Sequence, residues 1–518
     1  MERPPPDDLF GEDLIWVEPR HRRRAAVETQ PPARDAAEPR PRPRTPAHTA
    51  GRRRPTRRTF LIRRLVACSV LGGVVLGVVA LAAGGGKERL EDPSPGSPKA
   101  GPAAVPPTAA APGSLAALVP QQTLLEMGDR GREVRRVQQA LAVVGFSPGA
   151  ADGLFQDGTR TAVAAFQQAH GLPAQGIVEA STARALTNEL LRWGAAQAQA
   201  PTTGLATAVG ARRLSPRSAA RYRSILSRAL AGLVLLPPDR ATLLGAVLRD
   251  VGAHAAVYDE PRALALFSML EANTGWLATR PLPKAGADRY GRDGVAYRFF
   301  RDHGYQFHPL ANFAHLNGLL AVRGRDRVAA LVTALRARAI PSDGGLVWEY
   351  YFPFGSAARW TSALAQSVGA QALARSARLL RDTRLSRVAR SAYLPVPRRL
   401  ARRLGGGMWV REYSFSDIAI LNAQLQSLVS LSDYARLTGD ADARAFAGRL
   451  GAATSALLPR LDTGCWSLYS IGGSAASEHY HRYHVALLEQ LADRRSDPLW
   501  ARTAARWQRY AESGRCTT

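Results

Sequence analysis

Cysteine is scarce: Cys68, Cys465 and Cys516 are the three in 518 residues. Their wide separation excludes the close pairs that a cysteine metal site or a redox dithiol needs. No metal and no cofactor are expected, and a Cys465–Cys516 bond requires that the C-terminal region be exported. Acidic residues are also short, 42 against 69 Lys+Arg, for a net charge of +27. Residues 1–100 hold 19 basic and 12 acidic groups, so +20 of the charge belongs to the remainder. A basic surface of this kind favours polyanions, and its sign alone does not choose among acidic polysaccharide, wall polymer, nucleic acid and anionic lipid; no nucleic-acid partner is expected. Residues 1–58 lack any apolar period, which excludes a packed core and predicts a disordered cytoplasmic tail.

What is present begins with Arg52–Arg64, rich in arginine, followed by an apolar and glycine run from Leu65 to Gly86. The run is long enough to cross a bilayer as a helix, and the basic flank stays inside. The reading is a signal anchor at 59–86 in a single-pass plasma-membrane protein, N-terminus cytoplasmic and later domains outside. Thr56–Leu61 also looks like a twin-arginine export signal, with Ala80-Leu81-Ala82 as a cleavage site, so release is the alternative. A Pro/Ala-rich linker follows at 87–120.

Over 121–192, Val134, Val137 and Leu141 mark one helical face, Val163 and Phe166 another, and a short third helix is predicted from Ser181. Thr159 reads as the second N-cap. The segment resembles the small three-helix peptidoglycan-binding module, which implies a glycan or peptide site at the Asp152, Gly153 and Phe155 turn. No nucleophile and base stand together in it.

The region 205–515 reads as helical, strongly so from 207 to 324, and its motifs gather toward the end. Val347–Phe354 (V-W-E-Y-Y-F-P-F) precedes R-W-T-S-A-L-A-Q; Gly405–Tyr434 contains R-E-Y-S-F and then L-N-A-Q; Thr463–Gln490 contains W-S-L-Y and then Y-H-R-Y-H at a helix start. In this order, and with the F-H-P helix entry after Tyr305, these stretches resemble the C-terminal domain of the D-glucuronyl C5-epimerases, most clearly over 305–515. The resemblance implies Tyr480 and Tyr413 flanking C5 of a uronic acid, Glu412 as base or polariser, and Tyr469 orienting the sugar or sharing the proton. It implies substrate contacts from His481, His484, Arg411, Trp348, Glu349, Tyr350, Trp360, Ser362, Gln366 and Asn422. The proline after the family's Glu-Tyr pair is replaced here, and Ala423 stands where the family has glycine.

The residue types suit the chemistry. A hydrogen α to a carboxylate is a very weak acid, so its removal needs a positioned base and neutralisation of the growing charge; inversion needs a second acid on the opposite ring face. A nearby cation can bring a phenol into working range. The ten arginines from Arg375 to Arg403 offer a track for a polyanion. The predicted architecture is mainly α: an α/α toroid-like domain, the three-helix module and one transmembrane helix. The predicted function is inversion at C5 of a uronic acid within a polysaccharide, with peptidoglycan and membrane as further partners. A lyase, a glycoside hydrolase using Glu412 with Glu349, Asp417 or Glu478, and a non-catalytic glycan binder are the rivals.

Overall fold

Alanine, leucine and arginine with apolar residues at three- and four-residue spacing favour helices, and the backbone follows. The computed structural model describes residues 115–342, 344–494 and 497–514 and is mainly helical. The expected tail, the 59–86 anchor and most of the linker lie outside those residues. Among the described residues no helix is long and apolar enough to cross a membrane.

The small module contains helices Arg132–Val143, Asp157–Ala169 and Ala180–Gln197. Its expected core of Val134, Val137, Leu141, Val163 and Phe166 is buried. Thr159 is not the N-cap: the second helix starts earlier, at Asp157, and Thr159 lies inside it, accepting from Gln138 Nε2 at 3.0 Å. The third helix runs 18 residues and is followed almost at once by Gln199–Gly210, so no linker separates the module from the helical region. The end of the predicted linker is folded too: Leu115, Leu118 and Val119 are buried.

Helices Pro216–Leu235, Pro238–Ala253 and Glu260–Thr279 then pack on one another. The uninterrupted helical pattern expected to 324 is broken by an antiparallel sheet of Asp288–Tyr290, Ala296–Phe300 and Gly304–Phe307. Its middle strand, A-Y-R-F-F, is buried along its whole length, and aromatic residues fit a pleated, covered surface better than a helix. Gly304, at φ +63, makes the turn; a side chain there would press on Asn273, which bonds both backbone groups of Tyr305.

The remaining chain forms four helix hairpins laid side by side. Pro309–Ala321, Ala363–Leu380, Leu421–Thr438 and Glu478–Arg494 touch in sequence, and each packs against the helix after it: Arg325–Arg336, Thr383–Tyr393, Ala441–Leu457 and Pro498–Ser513. The second and third members of the inner row are buried on nearly every side, as helices apolar all round must be. Two short hairpins, Ile340–Ser342 with Gly345–Val347 and Ala401–Leu404 with Gly407–Val410, feed the loops at the row's N-terminal end.

Candidate functional site

The inner helices begin at one end of the row, where their free amide groups favour negative charge. His308 Nδ1 accepts from Ala311 N, and Ser362 Oγ from Ala365 N, each capping a helix at 3.1 Å. Ser362 also donates to Glu412 Oε1 at 3.0 Å, which ties the second helix to the loop after the 407–410 strand. That loop is fixed by backbone bonds from Ala363 N to Arg411 O (3.2 Å) and from Ser414 N to Thr361 O (2.9 Å). Leu421 N bonds Tyr469 O at 3.0 Å, bringing the 462–477 loop to the same end.

The predicted catalytic residues therefore meet. Tyr413 shares a side-chain hydrogen bond with Tyr469 and feels Glu412 and Tyr480. Tyr469 and Tyr480 stand edge to face with ring centres 5.0 Å apart. The group is nearly sealed: Glu412 and Tyr413 are each 2% exposed, Tyr469 5% and Tyr480 6%. Burial raises the Glu412 carboxyl to about 8, opposed by the Ser362 hydrogen bond, and its Oε2 has no protein partner. Near neutral pH this acid holds a proton and can exchange it.

Tyr413 departs from the expected tuning. Burial and the neighbouring phenols and carboxyl push it well above its ordinary value, so it is a neutral donor and not an activated base. The histidines meant to supply positive charge are packing groups. His481 is fully buried, stacked on Trp466 at 3.8 Å; Nδ1 accepts from Ser467 N and Nε2 donates to Trp507 O at 2.9 Å, which requires the neutral ring. His484, joined to the same Ser467 hydroxyl at 3.0 Å, is lowered to about 3 by burial, then by His481. Desolvation has made His484 neutral, and the hydrogen bonds of His481 require its neutral ring, so they do not cradle a carboxylate.

The other predicted contacts divide. Tyr350 stacks on Trp360 at 3.9 Å and feels Glu412; Trp360 lies 5.5 Å from Tyr413, so both belong to the cluster with Ser362. Asn422 opens the third inner helix with its side-chain oxygen unpartnered. Trp348 is core, donating to Leu335 O, and Gln366 is consumed in bonds with Trp348 N, Leu346 O and Ala392 O. Arg411 pairs with Asp417 at 2.6 Å. Glu349 is held by Arg262 and Arg359, and Glu478 by Arg482, so the carboxylates a hydrolase would add to Glu412 are all in ion pairs. The arginine run is interrupted in the same way: Arg375 pairs with Asp433, Arg390 with Asp440 and Arg402 with Asp417.

Tyr483, one of the aromatic and imidazole groups crowded at this helix start in the sequence but assigned no role there, feels both Tyr480 and Glu412 and donates to Gln426 at 2.7 Å. Its three-residue spacing from Tyr480, which places both on one helix face, was the available signal. Phe354 and Phe415 wall Tyr413 at 4.9 and 5.7 Å. Cys465 is disulfide-bonded; Cys516 lies outside the described residues. In the module, Asp152 accepts from Gln138 and Leu154 N and is exposed, Gly153 makes the turn at φ +83, but Phe155 is fully buried in the core and cannot face a ligand. A surface depression bounded by Val209, Arg213, Pro216 and Glu260 shares no residue with either place.

Two family models match parts of the chain, and together they suggest a carbohydrate-modifying, cell-wall-related protein. In particular, residues 343–509 match the family described as D-glucuronyl C5-epimerase C-terminus, and residues 130–186 match the putative peptidoglycan binding domain. No curated protein matches the chain. Among solved structures, an endoglucanase from Komagataeibacter sucrofermentans is similar at 14% identity over 39% of this chain and 72% of that one, with a TM-score of 0.29, too low to carry an argument.

Proposed function

We propose that the protein inverts C5 of a uronic acid residue within a cell-envelope polysaccharide, held to the wall by its 130–186 module and to the plasma membrane by the 59–86 segment. The observation that carries the reading is the meeting of Glu412, Tyr413, Tyr469 and Tyr480, drawn from three separated segments, around one buried carboxyl. In this scheme ionised Glu412 removes the C5 proton, and a neutral phenol, Tyr480 or Tyr413, returns one from the opposite face. Charge growing on the sugar carboxyl faces the amide ends of the inner helices. Each turnover leaves Glu412 protonated and one phenol ionised, and the pair resets when a proton leaves Glu412 for that phenolate, with the Tyr413–Tyr469 hydrogen bond as its relay. We take the row of hairpins as an arc of an α/α toroid, with the exposed turn at 353–359 yielding to admit the chain.

The test is incubation of the protein with polyuronates in deuterium oxide. The expected result is deuterium at C5 without chain cleavage, reduced at least ~100-fold in Tyr480→Phe, the lower range for loss of a positioned acid or base. An unsaturated, ultraviolet-absorbing product would assign a lyase instead. Absence of exchange across the panel would sink the enzymatic reading.

A further inference from the structure

Side chains alternate along the extended segment Glu349–Phe352, which is bridged to Trp360 through Tyr350. Tyr350 turns to Trp360 and the phenol cluster. Glu349 and Tyr351 turn away from it, toward the 238–253 and 260–279 helices, onto a face no proposed catalytic step uses. There the Glu349 carboxylate accepts Arg262 Nε and Nη2 at 2.9 and 3.0 Å and is ion-paired with Arg359 Nε at 3.2 Å. Among the described residues the two terminal amines of Arg359 bond nothing.

Beside this pair, His254 stands edge-on to Tyr351 with ring centres 5.4 Å apart. His254 Nδ1 lies 2.8 Å from Asp250 O; a carbonyl can only accept, so Nδ1 carries the proton and Nε2 presents a lone pair. That Nε2 and the Tyr351 hydroxyl are both buried without a protein partner, on side chains 3% and 1% exposed. Glu349 and Arg359 act on both of them. Asp250 also meets Gln306 Nε2 at 3.0 Å and His303 Nδ1 at 3.3 Å. The side chains of His303 and Arg359, 29% and 33% exposed, form the solvent edge.

Leaving a buried hydroxyl and a ring nitrogen unbonded costs about 1–3 kcal/mol each, so two such atoms in one neighbourhood mark a place where something else bonds them. The complement of this face is a small group bearing an anion for the guanidinium fork and hydroxyls for an oxygen and an imidazole lone pair. We propose that it is a second sugar-binding site, in which Arg359 takes the carboxylate of an acidic sugar residue and Tyr351 and His254 take its hydroxyls. The choice of an acidic sugar rests on the function proposed above. Trp360, stacked on Tyr350, lies 5.5 Å from Tyr413 on the other side of this segment.

The experiment is titration calorimetry of the full chain with a tetrasaccharide of alternating glucuronate and N-acetylglucosamine, and with a tetramer of N-acetylglucosamine that bears no carboxylate. Arg359→Gln weakens the acidic probe about tenfold and leaves the neutral one unchanged, the size of one charge-assisted hydrogen bond. Glu349 keeps Arg262, so the fold survives. Tyr351→Phe removes a hydroxyl that bonds no protein group; it weakens the acidic probe roughly fivefold while the melting temperature holds or rises. Unchanged affinity in both variants, or no binding to the parent protein, overturns the site and leaves only water on those atoms. Binding is read without proton exchange: Arg359-dependent binding without C5 exchange would sink the reaction and keep the site, and the reverse would do the opposite.

Discussion

Glu412 is where burial sets both chemistry and stability. In the unfolded chain its carboxyl ionises near the ordinary value, about 4.3; in the fold burial holds it at about 8. A group whose folded value is raised contributes its full stability below the unfolded value and loses it as pH rises through the folded one. The protein should therefore weaken between pH 4.3 and 8 by on the order of 4 kcal/mol from this residue. Glu412→Gln, which cannot ionise, should show none of that loss when denaturant midpoints at pH 5 and pH 8 are compared, while C5 exchange falls at least ~100-fold. In the parent protein the exchange rate should climb as pH approaches 8. A rate already flat at pH 6 would remove Glu412 from the role of base.

At the scale of the element, the first three hairpins turn through a residue in the left-handed region: Arg323 at φ +51, Arg381 at φ +57 and Gly439 at φ +73. Glycine takes this conformation without cost, whereas a residue with a Cβ gives up about 1 kcal/mol. Arg381 caps the 363–380 helix through its N–H to Ala377 O and exposes its side chain. Arg381→Gly should stabilise by about 0.5 kcal/mol once the added freedom of the unfolded chain is subtracted, read as a higher denaturant midpoint with an unchanged slope. The turns matter to the site because they set the inner helices side by side, with their N-termini at the loops that hold Ser362, Glu412, Tyr469 and Tyr480.

Over the whole molecule, the wall-binding-like module and the helical region share one core. Gln139 Nε2 donates to Leu235 O at 3.2 Å, and Leu115 fills the space beside Gly194 and Leu230, where any side chain on Gly194 would collide with it. Gly194→Leu should cost about 1–3 kcal/mol by overpacking and should speed proteolysis between the two regions. Equal stability would show that the contact is incidental. A module fixed in this way stands at a set distance from the phenol cluster, unlike one on a flexible tether.

Sequence by itself determined the helical class, the core faces of the module, and which tyrosines and glutamate belong together, because periodicity and motif order survive without coordinates. It also carried the charge excess and the apolar run at 65–86. Tertiary structure decided the rest. Asn273, Gly304 and the covered aromatic strand made a sheet where local propensity read helix. Depth of burial turned His484 from a cation into a neutral packing ring, lifted Glu412 into the range of a proton carrier, and put Phe155 and Trp348 in the core. The charge state of a side chain depends on the solvent it loses and the groups folded against it, and neither is written in the order of residues along the chain.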